Sequence, residues 1–125
     1  MAYKHILHID DDLEDCEIFG QALIHMSYVG KHTCISNPVE ALRKLTTGIL
    51  APDLIFLDLN MPAMDGFVFL ENIKEIPQIR QIPVLILSAS PQQAYINRTR
   101  NLGAQDYLIK PKVLSELVLM LSSIL

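Results

Sequence analysis

The sequence holds no apolar stretch near the ~20 residues that cross a bilayer; its apolar runs, such as Leu54 to Leu57 and Val84 to Leu87, are short. A membrane-spanning role is therefore excluded. The amino terminus, Met1 to Lys4 followed by Ile6 to Ile9, lacks the long apolar core and small-residue cleavage site of a secretory signal, so a cytoplasmic location is expected. Cysteine is scarce: Cys16 and Cys34 have no Cys or His partner at metal-finger spacing. The expectation is two reduced packing residues rather than a disulfide. Basic residues are few and scattered, 10 Lys and Arg against 14 Asp and Glu for a net charge of −4. Direct nucleic-acid binding, which needs several cations on one face, is not expected. There is no Walker glycine loop and no G-x-G-x-x-G turn, and the stretch Asp58, Asn60, Pro62 lacks the Gly and final Glu of a calcium loop.

What remains is a chain of 125 residues, half of them apolar and 19% charged, which suits one domain over residues 1–125 with its own core. Short β-branched or Leu-rich runs alternate with longer stretches whose apolar residues recur three and four apart, the pattern of an α/β protein. Strands are expected at Lys4 to Ile9, Lys31 to Ile35, Leu54 to Leu57, Val84 to Leu87 and Tyr107 to Ile109. The third and fourth show little polar alternation, as parallel strands covered on both faces do.

Cys16, Phe19, Leu23 and Met26 share a face of a first helix. Asn37 and Pro38 read as cap and first residue of a second helix that Gly48 stops. Asp65 caps a third running through Lys74, Ser90 and Pro91 open a fourth closed by Gly103, and Leu114, Leu117, Val118, Leu121 and Leu125 form the stripe of a fifth. Leu119 falls on the opposite side of that stripe and is expected outside the core.

In parallel α/β sheets ligands sit beyond the carboxyl ends of the strands. Asp10, Asp11 and Asp12 follow the first strand, Asp58 the third, Ser88 the fourth and Lys110 the fifth. Carboxylates gathered in one crevice repel, and burying unpaired charge is expensive, so a hard divalent cation is the natural compensation and Mg²⁺ fits best. A cation with open positions, a Lys ammonium and a Ser hydroxyl together can hold phosphate oxygens. A carboxylate can itself be the nucleophile, and Asp58 alone follows the central strand. Each piece has a plainer reading as well: an acidic run before a helix caps it, a Ser after a strand turns the chain, and a Lys before Pro is solvated. Their joint placement is what favours a site.

The residues Ile9-Asp10-Asp11, Leu57-Asp58-Leu59-Asn60-Met61-Pro62, Met64-Asp65-Gly66, Ser88-Ala89 and Lys110-Pro111, in that order, make the chain resemble the response regulator receiver domain along essentially its whole length. The resemblance implies a doubly wound, flavodoxin-like α/β fold, five parallel strands in order 2-1-3-4-5 flanked by five helices. It implies Asp58 as phosphoacceptor, Asp11 as a direct ligand of Mg²⁺ or Mn²⁺, and Asp10 as the partner that orients the metal's water. Asp58 and the Asn60 backbone carbonyl complete the metal set. Ser88 matches the hydroxyl that follows the phosphoryl group, Lys110 the lysine that pairs with phosphate, and Tyr107 the aromatic whose ring turns inward on activation. Pro111 matches a position usually preceded by a cis peptide, and Asp12 has no assigned role. Lys112 departs from an often apolar position, and Ser90 sits where side chains tune the phosphoryl lifetime. The connection containing Pro77-Gln78-Ile79-Arg80 resembles that of single-domain regulators paired with phytochrome-type kinases.

The function so implied is a phosphorylation-dependent switch of a two-component relay, a phosphoacceptor that assists its own phosphorylation and dephosphorylation rather than an enzyme. The phosphoryl source would be a phosphohistidine on a sensor histidine kinase or phosphotransfer protein, and the effector a protein acting in trans. Leu119 and Met120, off the core stripe, make homodimerisation through the fourth helix, fifth strand and fifth helix an expectation. A Mg²⁺-dependent aspartyl-phosphate phosphohydrolase would need an acid where Asn60 stands. A phosphorylation-independent interaction module would have lost the acceptor, the metal acid or the lysine, and all three are present.

Overall fold

A computed structural model describes residues 3–61 and 64–125; Met1 and the Pro62 of the Leu57–Pro62 motif lie outside the described residues. Strands and helices alternate along the chain: β1 (His5–Ile9), α1 (Leu13–His25), β2 (Lys31–Ile35), α2 (Pro38–Thr46), β3 (Leu54–Leu57), α3 (Gly66–Glu75), β4 (Val84–Ser88), α4 (Gln93–Asn101), β5 (Asp106–Ile109) and α5 (Leu114–Ile124). All neighbouring strands pair in parallel in the order β2-β1-β3-β4-β5. This is the doubly wound arrangement implied by the resemblance.

The central strands have no solvated face. Every residue of β3 and β4 is buried, which is why these segments read as continuous apolar runs rather than as alternation. Two apolar layers flank the sheet. One, with Leu7, Ile55, Leu57 and Ile86, receives Leu45 of α2 and Phe69 and Leu70 of α3. The other, with Ile6, Phe56 and Leu87, receives Phe19 and Leu23 of α1 and Leu117 and Leu121 of α5. Leu119 is 73% exposed, as the stripe on α5 predicts, whereas Met120 packs at the edge of the second layer.

Most helix signals act as their chemistry requires. Asn37 accepts hydrogen bonds from the N–H groups of Val39 and Glu40, and Asp65 from that of Val68. Gly48 and Gly103 follow their helices with φ of 81° and 101°, a conformation other residues adopt only with strain. One start differs from expectation. Ser90 and Pro91 do not open α4; the helix begins at Gln93, and the Ser90 hydroxyl instead accepts from the Gln92 N–H in a local turn.

Two further expectations are corrected. Cys16 and Cys34 are joined in a disulfide rather than reduced, because α1 packs across the sheet and brings their Cα atoms to 6.1 Å, within bridging range. Sequence spacing carries no trace of that approach. The Lys110–Pro111 bond is not cis: there is no cis peptide among the described residues, and trans is the lower-energy form for an isolated X–Pro bond.

Candidate functional site

The carboxyl ends of β1, β3, β4 and β5 open into one crevice of about 980 Å³, bordered by Asp11, Asp58, Asn60, Ser88 and Lys110. Asp58 follows β3 and is held by the sheet itself, since its N–H donates to the Ile9 carbonyl at 2.9 Å. The loop after it is pressed against the start of α3, where the Gly66 N–H donates to the Leu59 carbonyl. A Cβ added at Gly66 would stand 2.5 Å from Leu59 Cα and 2.6 Å from the Asp58 carbonyl oxygen. Only glycine lets helix and acceptor loop come so close.

The acidic run after β1 divides its work. Asp10 is fully buried, and its Oδ1 accepts from the Asp12 N–H at 3.0 Å. Asp11 projects into solvent at the mouth of the crevice. Asp12 takes the plainer role: it is the N-cap of α1, accepting from the N–H groups of Glu14 and Asp15. Carboxylate oxygens of Asp10, Asp11 and Asp58 lie within 4.8 Å of one another.

Lys110, delivered by β5, reaches into this cluster. Its Nζ donates to Asp10 Oδ2 at 2.8 Å and to Asp15 Oδ2 at 2.7 Å, and stands 3.7 Å from Asp58 Oδ2. Asp15 was not singled out in the sequence; its signal was its place one turn into the helix that Asp12 caps. His8 was also missed. It is buried near the carboxyl end of β1, and its Nε2 lies 3.5 Å from Asp10 Oδ2 without a well-formed hydrogen bond.

These neighbours separate the two buried acids. Burial pushes the Asp58 carboxyl up to about 6; Lys110 opposes the shift, and the charges of Asp10 and Asp11 add to it. Burial would raise Asp10 too, but the His8 imidazole, the Lys110 ammonium and the Asp12 N–H hold it at about 2. Burial would likewise lower Lys110, yet its hydrogen bonds to Asp10 and Asp15 and the charge of Asp58 raise it above its ordinary value.

On the other wall, Ser88 is buried and its Oγ accepts from the Ser90 N–H at 3.2 Å. Tyr107 is half-buried against the apolar layer, and its hydroxyl donates to the Ser90 carbonyl at 2.6 Å. Phe67 of α3 meets Tyr95 of α4 edge to face, and the Arg98 guanidinium lies 4.0 Å over the Phe67 ring.

The donor set fits a hard divalent ion. Asp10, Asp15 and Asp58 share one close ammonium, Asp10 and Asp58 are almost wholly buried, and the crevice is open on the solvent side. All-oxygen ligands with room for further oxygens suit Mg²⁺ or Mn²⁺.

A doubly wound sheet with an acidic pocket and a lysine at its carboxyl edge defines a class, and the sequence assigns the family within it. Residues 6–122 match the family model described as the response regulator receiver domain. The chain belongs to that family, the receivers of two-component signalling. It is 32% identical over 108 residues to the two-component response regulator ORR6 of Oryza sativa subsp. japonica, covering 86% of this chain and 62% of that one. It is 33% identical over 122 residues to the two-component response regulator ARR17 of Arabidopsis thaliana, covering 90% and 78%. The chain thus spans somewhat under two thirds of the first of these relatives. Among solved structures it resembles the phosphorylated cyanobacterial phytochrome response regulator RcpA, with a TM-score of 0.89 at 30% identity, covering 98% of this chain and 91% of that one. It also resembles response regulator Rcp1 in its Mn²⁺-bound form, with a TM-score of 0.86 at 28% identity, covering 97% and 91%. Among the described residues, no helix is long and apolar enough to cross a membrane.

Proposed function

We propose that this chain is a phosphoacceptor switch: Asp58 takes a phosphoryl group from a phosphohistidine of a sensor histidine kinase or phosphotransfer protein, and the phosphorylated form changes its affinity for a protein effector in trans. The observation that carries this reading is the Lys110 ammonium, 3.7 Å from Asp58 Oδ2, in a crevice where the oxygens of Asp10, Asp11 and Asp58 converge.

In the step proposed, an ionised Asp58 oxygen attacks phosphorus, the P–N bond of phosphohistidine breaks, and the imidazole leaves with its electron pair and takes up a proton. Asp10, Asp11, Asp58 and the Asn60 carbonyl would hold Mg²⁺ or Mn²⁺, which supplies positive charge that keeps Asp58 ionised and offsets charge on the transferring group. Lys110 leaves its contacts with Asp15 and Asp10 to meet a phosphoryl oxygen, and the Ser88 hydroxyl donates to another. The Ser88–Ser90–Tyr107 chain of contacts then relays the change to α4 and β5. Nothing here turns over a separate substrate, so the chain is read as a signalling domain and not an enzyme. One domain over residues 1–125, a cytoplasmic location and homodimerisation through α4, β5 and α5, where Leu119 is exposed, belong to the same proposal.

The test is intact-protein mass after incubation with acetyl phosphate, with and without Mg²⁺, for the native chain and Asp58→Asn. One Mg²⁺-dependent phosphoryl adduct, absent from the variant, is expected. No adduct under any condition, with beryllofluoride also failing to bind, would sink the reading.

A further inference from the structure

Cys16 and Cys34 grip the acidic loop from two sides. Cys34 lies on β2 directly before Ile35, whose carbonyl accepts from the Asp10 N–H at 3.2 Å. Cys16 lies in the first turn of α1, directly after the Asp15 that binds Lys110, and its sulfur is 3.6 Å from the Asp10 carbonyl oxygen. The bond between them therefore ties the edge strand to the helix turn across the peptide that positions Asp10. β2 pairs with β1 alone and none of its residues is fully buried, so little besides the tie and that one ladder holds it in place. Both cysteines are partly exposed.

We infer that Cys16 and Cys34 form a reversible dithiol–disulfide site whose oxidation state sets how firmly the first turn of α1, and with it Asp15 and Lys110, is held beside Asp58. The co-reactant is a small thiol of the glutathione class. One thiolate attacks a sulfur of the bridge, giving a mixed disulfide and one protein thiol. A second small thiolate attacks the small thiol's sulfur in that mixed disulfide and the protein thiolate leaves, giving the small disulfide and the second protein thiol; two electrons pass to the protein sulfurs, which take up two protons. Oxidation by the small disulfide is the reverse. A disulfide that persists only under oxidising conditions is the kind that reducing compartments use for sensing. The consequence for phosphorylation rests on the Asp58 reading; the redox site itself does not.

The full chain, equilibrated across ratios of reduced to oxidised glutathione, is alkylated with iodoacetamide and weighed intact. Amide exchange over residues 10–17 is followed in both states. Both thiols should appear together in one reversible transition, and exchange in the reduced protein should be about tenfold faster. Cys34→Ser should exchange at the fast rate in either buffer. Acetyl phosphate labelling of Asp58 should differ several-fold between the states of the native chain and not at all in the variant. Two alkylatable thiols at every ratio, or equal exchange in both states, would overturn the inference. Zn²⁺ held by the reduced pair with His8, with no bridge formed by oxidised glutathione, would overturn it in favour of a soft-metal site. Bridging and an exchange difference without any phosphoryl adduct would sustain this site and count against the Asp58 reading.

Discussion

On the β1 side of Asp58 the crevice is made of charges at short range on a crosslinked base; on the opposite side it is made of hydroxyls, and beyond the buried strand β4 the elements there, α4 and β5, are thinly packed. β1 buries all but its first residue, and Asp10, the buried acid it delivers, is held by Lys110 and by the N–H of Asp12, the cap of α1. Thr99 is the one fully buried residue of α4, and β5 has none. Hydrogen bonds from Ser90 and Tyr107 stand where the other wall has ion pairs. A fixed wall suits binding and charge stabilisation, which lose steeply with small displacements. A wall with few buried contacts opens at low free-energy cost and suits a switch. The proposed division of labour, catalysis on one side and readout on the other, follows from packing as much as from residue type.

The comparison breaks most severely if the charged wall loses its one cation. Lys110→Ala leaves Asp10, Asp15 and Asp58 facing each other, so acetyl phosphate labelling should slow by about 100-fold or more. Denaturant unfolding at neutral pH should show a loss of about 3 kcal/mol. Replacing both cysteines by serine removes the base of the same wall. With the bridged positions 18 apart in sequence, the variant should lose about 3 kcal/mol relative to the oxidised native chain, measured without reductant.

Asp58→Asn sharpens the contrast through pH. A carboxyl raised to about 6 in the fold binds its proton more tightly than in the unfolded chain. Its stabilising contribution is therefore fully present below the unfolded value near 3.8 and is lost as pH rises through about 6. Without divalent ions, the variant should be more stable than the native chain at pH 7.5, by up to about 3 kcal/mol, with the advantage gone near pH 4. Thermal melts at the two pH values decide it, and added Mg²⁺ should narrow the gap by stabilising the native chain. Gly66→Ala, which presses a methyl into the Asp58 loop, should cost about 1–3 kcal/mol and slow labelling. The smallest effect is expected on the hydroxyl wall: Tyr107→Phe removes the bond to the Ser90 carbonyl, costing about 1 kcal/mol and leaving Mg²⁺-dependent labelling nearly unchanged. An equal loss of labelling from Tyr107→Phe and Lys110→Ala would erase the distinction between the walls.

The sequence disclosed the site wherever position along a strand was enough. Asp10, Asp58, Ser88 and Lys110 each sit at a strand end, and a parallel sheet brings strand ends together without further instruction. The sheet order came from family resemblance, because the strand pattern alone does not say which neighbours pair. Asp15 and the disulfide stayed hidden because they depend on how α1 lies on the sheet, a matter of packing and not of periodicity. The start of α4 was misplaced because Ser90 and Pro91, good cap and first-turn residues, were used in a turn instead.

The ion pair between Asp10 and Lys110 joins residues 100 positions apart. During synthesis, the acids of β1 and β3 emerge long before the lysine that reconciles them, so a chain lacking β5 carries its carboxylates without their counter-charge. On the reading proposed, the lysine that would meet a phosphoryl group thus arrives only once β5 has docked beside β4. The same crevice that would report on a signal first reports that the chain has finished folding.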